Sequence, residues 1–326
     1  MIINKTNIHK ILLITLSNLG DIILTTPVLE KLYDEFPGAE ITVITGPAGM
    51  DIFTQHPAVK DVRTHIKKAS ITARVRQAME IRREKFDIVV DLKNSLIPYF
   101  SGAKISSRMS FGHWGAVRHK RDEHLEKLST LMERPFRNSR FFMPSGAEDR
   151  KFVSAVLGEE WVRCVLLNPG AKSHLKRWDA KKFARLADMI VGELACRVLI
   201  VGTDSDRSVV DEVKGQMTTS FIDLCGRTTI GALAELMRRS DLVVTNDSAP
   251  LHVASAVNTP TVAIFGPTDE RRYGPLSVKS RVVKPSVPCR PCGRALCSTG
   301  PDEGCISQIS VNEVFRAAKE LLGSNV

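Results

Sequence analysis

Four short segments place polar residues and glycines where apolar runs stop: Ser17-Asn18-Leu19-Gly20-Asp21, Asn168-Pro169-Gly170-Ala171-Lys172, Gly202-Thr203-Asp204 and Asn246-Asp247-Ser248. In the last, the β-branched run Leu242-Val243-Val244 suits a buried parallel strand, and Asp247 and Ser248 are residue types that open helices. Pro250 falls in the first turn, where its missing N–H would have no partner anyway. The segment reads strand, tight turn, helix. A helix starting at the carboxyl end of a parallel strand offers free amides and a positive dipole end, which together bind anions. The plainer alternative is that Asp247 only caps the helix and His252 is a packed histidine. No G-x-G-x-x-G follows the first strand and no G-x-x-x-x-G-K-[ST] occurs anywhere, which argues against a Rossmann dehydrogenase and a P-loop nucleotidase.

The elements that must carry these segments alternate strand and helix. "IHKILLITL" reads as a strand, "IILTTPVLEKLYDEF" as a helix ended by Pro37-Gly38, and "AEITVITG" and "FDIVVDL" as strands with a basic helical stretch between them. Such order implies parallel sheets covered on both faces. "RPFRNSRFFMPS", from Arg134 to Ser145, has few helix or strand signals and is the expected linker. After it come strand "VRCVLLNPG", helix "AKKFARLADMIVGEL", strand "CRVLIVG", a helix from Ser205, "FIDLCG", helix "TIGALAELMRRS", strand "DLVVTND", helix "PLHVASAV" and strand "TVAIFGP". The expectation is two doubly wound α/β domains, residues 1–145 and 146–326, facing across a cleft. Ligands of such sheets bind at the carboxyl ends of the strands.

At 326 residues the chain exceeds what one core usually holds, and 43% hydrophobic with 25% charged residues is a globular composition. "ILLITL" is far short of a membrane span and no cleavage pattern follows it, so a cytoplasmic enzyme is expected. Lys and Arg total 46 against 36 acids, giving +10. Nine bases lie between Lys60 and Lys85, among them Lys67, Lys68, Arg74 and Arg76, against three acids, and a second group runs Arg118-His119-Lys120-Arg121. Such clusters suit a polyanion, whether nucleic acid, lipid headgroups or a phosphorylated sugar; a solvated helix face is the plain alternative.

Four of seven cysteines form C-x2-C-x4-C-x7-C, at Cys289, Cys292, Cys297 and Cys305. The first pair has metal-ligand spacing, and four thiolates could hold a structural zinc; without a second C-x-x-C, free thiols are the other reading. Cys164, Cys196 and Cys225 lie in or beside strands and read as small core residues.

"LSNLGDIILTTPVLEKL", "NPGAKSHLKRW" and "NDSAPLHVASAVNTPTVAIFGPTD" resemble, in order and spacing, the three hallmark blocks of the ADP-heptose:lipopolysaccharide heptosyltransferases, glycosyltransferase family nine. The resemblance implies a GT-B fold, with the acceptor bound mostly by the first Rossmann-like domain and the nucleotide sugar by the second. The final helix, "VNEVFRAAKELL", would then cross back toward the first domain. It further implies Asp21 as the catalytic base and Lys176 as the phosphate-binding lysine, with Asn168, Gly170, Lys172, Ser173 and Arg177 nearby. Asp204 would take a ribose hydroxyl after Gly202, and Thr228 would border adenine. Asp247 would position the loop or hold a hydroxyl, close to His252, while the amides of Ser248, Ala249 and Leu251 donate to phosphate. Without the resemblance Asp21 reads as a helix cap.

On the acceptor side stand Asn18, Gly20, Lys67, Lys68, Arg74, Arg76, Lys93, Arg118 and Arg121. Many relatives place glutamine and glycine after "FDIVVDL", where this chain has Lys93-Asn94-Ser95, which touches the acceptor more than the donor. The implied partners are ADP-heptose, a lipid A-Kdo or heptosylated inner-core acceptor and the anionic inner-membrane surface, with no nucleic acid and no cofactor. The enzyme would be peripheral at the inner face of the inner membrane, inverting, and independent of metal, with lysine and a helix dipole in place of a diphosphate-bound cation. Another GT-B enzyme with a different sugar or glycan, or a non-catalytic polyanion binder, is the alternative.

Overall fold

The computed structural model describes residues 7–65, 71–107, 117–136, 139–158, 162–294, 296–297 and 304–323. The chain divides into two units, Met1–Pro144 and Ser145–Val326. The first runs β1 (Lys10–Ile14), α1 (Leu19–Glu35), β2 (Glu40–Thr45), α2 (Met50–Phe53), β3 (Val59–Thr64), α3 (Ile71–Arg83), β4 (Ile88–Asp91), α4 (Ile97–Phe100), β5 (Ile105–Ser106) and α5 (Lys120–Leu131). Its five strands lie parallel in the order β3-β2-β1-β4-β5. The central strand is a continuous apolar run, Ile11 to Ile14 being wholly buried, as a strand covered on both faces must be.

α1 passes straight through Pro27. A proline there cannot donate to the Ile23 carbonyl four residues back. The Thr26 hydroxyl donates to that carbonyl instead, at 2.9 Å, and also accepts from the Phe142 amide at 3.2 Å. Phe142 belongs to the stretch expected as a linker, which is instead tied to this unit: Ser139 donates to the Pro27 carbonyl at 2.9 Å, and Arg140 pairs with Glu30 and Asp34.

The second unit runs α6 (Ala147–Leu157), β6 (Cys164–Asn168), α7 (Ala180–Leu194), β7 (Arg197–Ile200), α8 (Arg207–Gln216), β8 (Ile222–Asp223), α9 (Ile230–Arg238), β9 (Leu242–Asn246), α10 (Ala249–Val257), β10 (Thr261–Ile264), α11 (Glu270–Tyr273), β11 (Ser280–Val283) and α12 (Val311–Leu322). Six parallel strands take the order β11-β10-β9-β6-β7-β8. Its main core packs one face of the sheet against α7 and α12, around Trp178 and Phe183 in an edge contact at 5.0 Å. α12 packs on α7 and on β9, β10 and β11 of its own unit. Cys164, Cys196 and Cys225 are buried, and burial pushes all three thiols up. No described helix is long and apolar enough to cross a membrane.

Each sheet has one place where the winding reverses. In the first it lies between β1 and β4, in the second between β6 and β9. The loops leaving these strands therefore open on a crevice where side chains can meet a ligand.

Candidate active site

In the second unit the reversal is lined by the ends of β6 and β9. Asn168, 2% exposed, shares its amide hydrogens among Gly170 O (3.0 Å), Thr245 Oγ1 (3.2 Å) and Ser248 Oγ (3.0 Å), tying the two strand ends together. Asn246 does the same across the other diagonal: its Nδ2 donates to Pro169 O at 2.8 Å and its Oδ1 accepts from the Trp178 amide at 3.1 Å. These buried amides are what a strand gains by ending on polar residues. They fix the loop 169–178, and Arg177 closes it by donating from Nε to Ala171 O at 2.7 Å.

Lys176, in a short 3-10 turn from His174, sets its ammonium 2.7 Å from the carboxylate of Asp247, which is 5% exposed. The sequence set these residues 71 positions apart in unrelated roles. They form one ion pair beside the start of α10, where the lysine is a third exposed and open to a competing anion. Ser248, not Asp247, is the N-cap, and it caps with its backbone rather than its side chain.

One expected phosphate donor is otherwise engaged: the Leu251 amide donates to the Ser248 carbonyl at 3.1 Å. With Pro250 unable to donate, Ser248 and Ala249 supply the first-turn amides that a helix leaves without internal partners. Arg177 likewise spends Nε on its own loop, Lys172 is exposed, Ser173 is the N-cap of the 3-10 turn, and His252 is buried in α10.

The β7 end forms a second polar shelf. Asp206, absent from the sequence reading, accepts from the amide and hydroxyl of Thr203 at 2.9 and 2.7 Å. Its carboxylate occupies the space in front of Gly170, where a Cβ would stand 2.4 Å from it, so the glycine is required by its neighbour. Asp204 is exposed and lies over Gly226, which has φ of +70°, where a Cβ would come 2.1 Å from Oδ1. Gly226 N donates to Gly202 O at 2.8 Å, bringing the Gly202 and Thr228 loops side by side.

In the first unit, Asp21 occupies the third position of α1, half-buried, and accepts from Asn18 Nδ2 at 3.1 Å. Asn18 is the N-cap, so the reading of Asp21 as the cap is corrected. Gly20 precedes it in the first turn. The loop is held by Gly46, whose amide donates to Leu16 O at 3.0 Å and where a Cβ would stand 2.5 Å from Ser17 O. His65, also missed, places Nε2 2.8 Å from the Thr15 carbonyl, and burial lowers its pKa. The β4 end is ordered by Asp91, 1% exposed, which accepts from Lys93 N at 2.8 Å and Ser95 Oγ at 2.7 Å. Lys127 donates to Asn94 beside it, and burial lowers its pKa.

The basic clusters are less free than their linear spacing implied. Arg118 pairs with Glu126 and Arg121 with Asp122, while Arg63 clasps Glu84 at 2.7 and 2.9 Å. Arg76 and Lys93 are exposed. Lys67 and Lys68, and the side chain of Arg74, lie outside the described residues.

Residues 147–302 match glycosyltransferase family 9 (heptosyltransferase). The chain is 27% identical over 290 residues to lipopolysaccharide heptosyltransferase 3 of Escherichia coli, covering 79% of this chain and 84% of that protein. Among solved structures it superposes on a family 9 glycosyl transferase from Veillonella parvula with a TM-score of 0.81 and 27% identity, covering 96% of this chain and 97% of the other. On the E. coli ADP-heptose lps heptosyltransferase II the TM-score is 0.76 at 22% identity, covering 96% and 98%. The fold is the GT-B one.

Proposed function

From a chain that carries the glycosyltransferase family 9 (heptosyltransferase) domain over residues 147–302, we propose transfer of heptose from ADP-heptose to a hydroxyl of the lipopolysaccharide inner core, with inversion and without a metal. The observation that carries the reading is the Lys176–Asp247 pair at the reversal of the second sheet, 2.7 Å long and next to the first-turn amides of α10. A departing ADP develops charge on its diphosphate. Lys176 and the amides of Ser248 and Ala249 are the groups that neutralise it, which is the work a metal does elsewhere. Asp247 holds the ammonium in place until the diphosphate competes for it. Asp204, exposed over Gly226, takes a ribose hydroxyl, and Thr228 borders the base.

Asp21 is the general base. Its carboxylate is oriented by Asn18 at 3.1 Å and half-exposed in the first turn of α1, where it can take the acceptor hydroxyl proton as the hydroxyl attacks the anomeric carbon. A single displacement of this kind inverts the anomeric centre. Exposed Lys93 and Arg76 suit the carboxylates or phosphates of the inner core, on Kdo or on a first heptose. The net charge of +10 favours the anionic inner face of the inner membrane.

The test is ADP release from ADP-heptose with truncated lipopolysaccharide acceptors, with and without EDTA, for wild type and Asp21→Asn. Release that ignores EDTA and collapses in the variant is expected. Turnover that needs added metal, or survives the variant, overturns the metal-free base mechanism.

A further inference from the structure

Among the described residues eight large apolar side chains stand exposed, and five of them, Val75, Met79, Leu96, Tyr99 and Phe100, belong to α3, to α4 or to the residue that opens α4. Spacing explains how they come to share a surface. Leu96, Tyr99 and Phe100 stand at i, i+3 and i+4, on one face of the short helix, while Pro98 is buried on the other. In α3, Val75 and Met79 share the outer face at i and i+4, and Ile81 turns inward. Ile81 and Phe86 pack with Ile97 of α4 in one apolar cluster, which sets the two helices side by side. At the end of α4, Arg82 Cγ lies 3.7 Å from the place a Cβ on Gly102 would take.

The patch is rimmed by bases whose charge the fold does not use. Arg82 and Arg83 end α3 and Lys104 follows α4; all three are exposed, and none has a carboxylate partner among the described residues. Elsewhere in this unit Arg63, Arg118, Arg121, Arg134 and Arg140 each face an acid. The single acid of α3 is Glu80. Nor is the α4 face a loose loop: Asp91 accepts from the Ser95 hydroxyl at 2.7 Å, Ser95 Oγ accepts from the Ile97 amide at 3.3 Å, and the Ser101 hydroxyl donates to Pro98 O at 3.0 Å. A fixed apolar face with an unneutralised basic rim suits anionic lipid, whose headgroup layer takes amphipathic rings and whose phosphates take the cations. Asp91 is the last residue of β4, so the face follows directly on the reversal of the first sheet.

We propose that the outer faces of α3 and α4 form the surface by which the first unit docks on an anionic phospholipid bilayer. Leu96, Tyr99 and Phe100 enter the headgroup layer, Val75 and Met79 lie against its edge, and Arg82, Arg83 and Lys104 meet lipid phosphates. The inference rests on the reading of the chain as a peripheral enzyme with a lipid-linked acceptor, and names the face which that reading leaves open. A bilayer seated there lies beside the β4 end, where such an acceptor is used. Five apolar side chains make a shallow anchor, so binding needs the apolar face and the basic rim together and stays reversible.

The test is sedimentation of the full chain with sucrose-loaded vesicles of phosphatidylcholine alone or with about one third phosphatidylglycerol. Wild type is expected to bind the anionic vesicles, to ignore the neutral ones and to come off as salt is raised. Leu96→Ser with Phe100→Ser, and separately Arg83→Glu with Lys104→Glu, should each lower the partition coefficient at least about tenfold, at equal folded fraction in urea titrations. Val278→Ser, which trims an exposed apolar side chain of the second unit, should leave it unchanged. Wild type that ignores anionic vesicles overturns the proposal. So does binding that both pairs of substitutions leave intact, in which case the peripheral reading stands and the docking face lies elsewhere. A wild-type dimer that the serine pair breaks, with no vesicle binding, makes the face a protein interface and overturns it too. ADP release with a deacylated, water-soluble acceptor tests sugar transfer apart from docking. The serine pair should leave that release unchanged, and its loss would put the face in the acceptor site instead.

Discussion

Lys176 has one carboxylate beside it and, on the proposed reaction, one diphosphate to attract, so its structural and chemical roles can be separated. Lys176→Ala removes the cation that meets the leaving group and should lower kcat by about 10²- to 10³-fold, the scale for deleting one preorganised charge donor. It also leaves Asp247, 5% exposed, without its partner, which is destabilising in its own right. Adding Asp247→Asn to the alanine variant removes the stranded charge. The double variant should regain urea resistance while its kcat stays low; recovery of both would make the pair a purely structural one. The polar residues at the β9 end were legible as a strand-to-helix junction, but not their wiring. Asp206 and His65 went unseen, and the partners of Asn246 with them, because each works on a partner remote in sequence, through Gly170, the Thr15 carbonyl and Trp178.

Helices and strands were easiest to read where one physical pattern dominates: α7, α12 and the buried strands β1, β6 and β9 follow their apolar periodicity. β3 was hidden inside the stretch taken as basic and helical. Its residues Val59-Lys60-Asp61-Val62-Arg63-Thr64 carry charges that pair within the strand, Arg63 with Asp61, and from outside it, Lys60 with Glu40 and Arg63 with Glu84, and no linear window shows the outside partners. Gly46, at the end of β2, makes the dependence of one element on another testable. A methyl group there would press on the backbone of Ser17, 2.5 Å away, and so on the turn that orients Asn18 and Asp21. Gly46→Ala should therefore cut kcat by at least about tenfold through misplacement of the α1 start. Gly38→Ala, whose added Cβ has nothing within 4 Å, should leave kcat unchanged. Equal rates in the two variants would uncouple the β2 end from the base.

Across the whole molecule the acid side of the stability profile is set by groups whose protonation folding disfavours. His124, buried in α5, has its pKa pushed down to about 3 by burial, with Lys120, Lys127 and His119 adding like charge. Its folded value lies below the unfolded one near 6.5, so the unfolded chain binds the extra proton. The stability this neutral imidazole permits is complete above pH 6.5 and drains away as pH falls toward 3. His65, also lowered by burial, acts in the same sense. The carboxylates come in later: burial works against Glu30, but His56 and Arg140 outweigh it and hold its pKa below 4.5, so its contribution is lost only as pH drops through that lower value. Between pH 6.5 and 5, then, the lowered histidines steepen the slope, His124 by itself approaching about 1.4 kcal/mol per pH unit toward pH 5. In urea titrations at pH 7, 6 and 5, the transition of the first unit should move to lower urea at each step, and His124→Leu should flatten that drift while leaving the drift below pH 4.5 in place. An unchanged slope in the leucine variant would mean that His124 is protonated inside the fold, with an anion beside it.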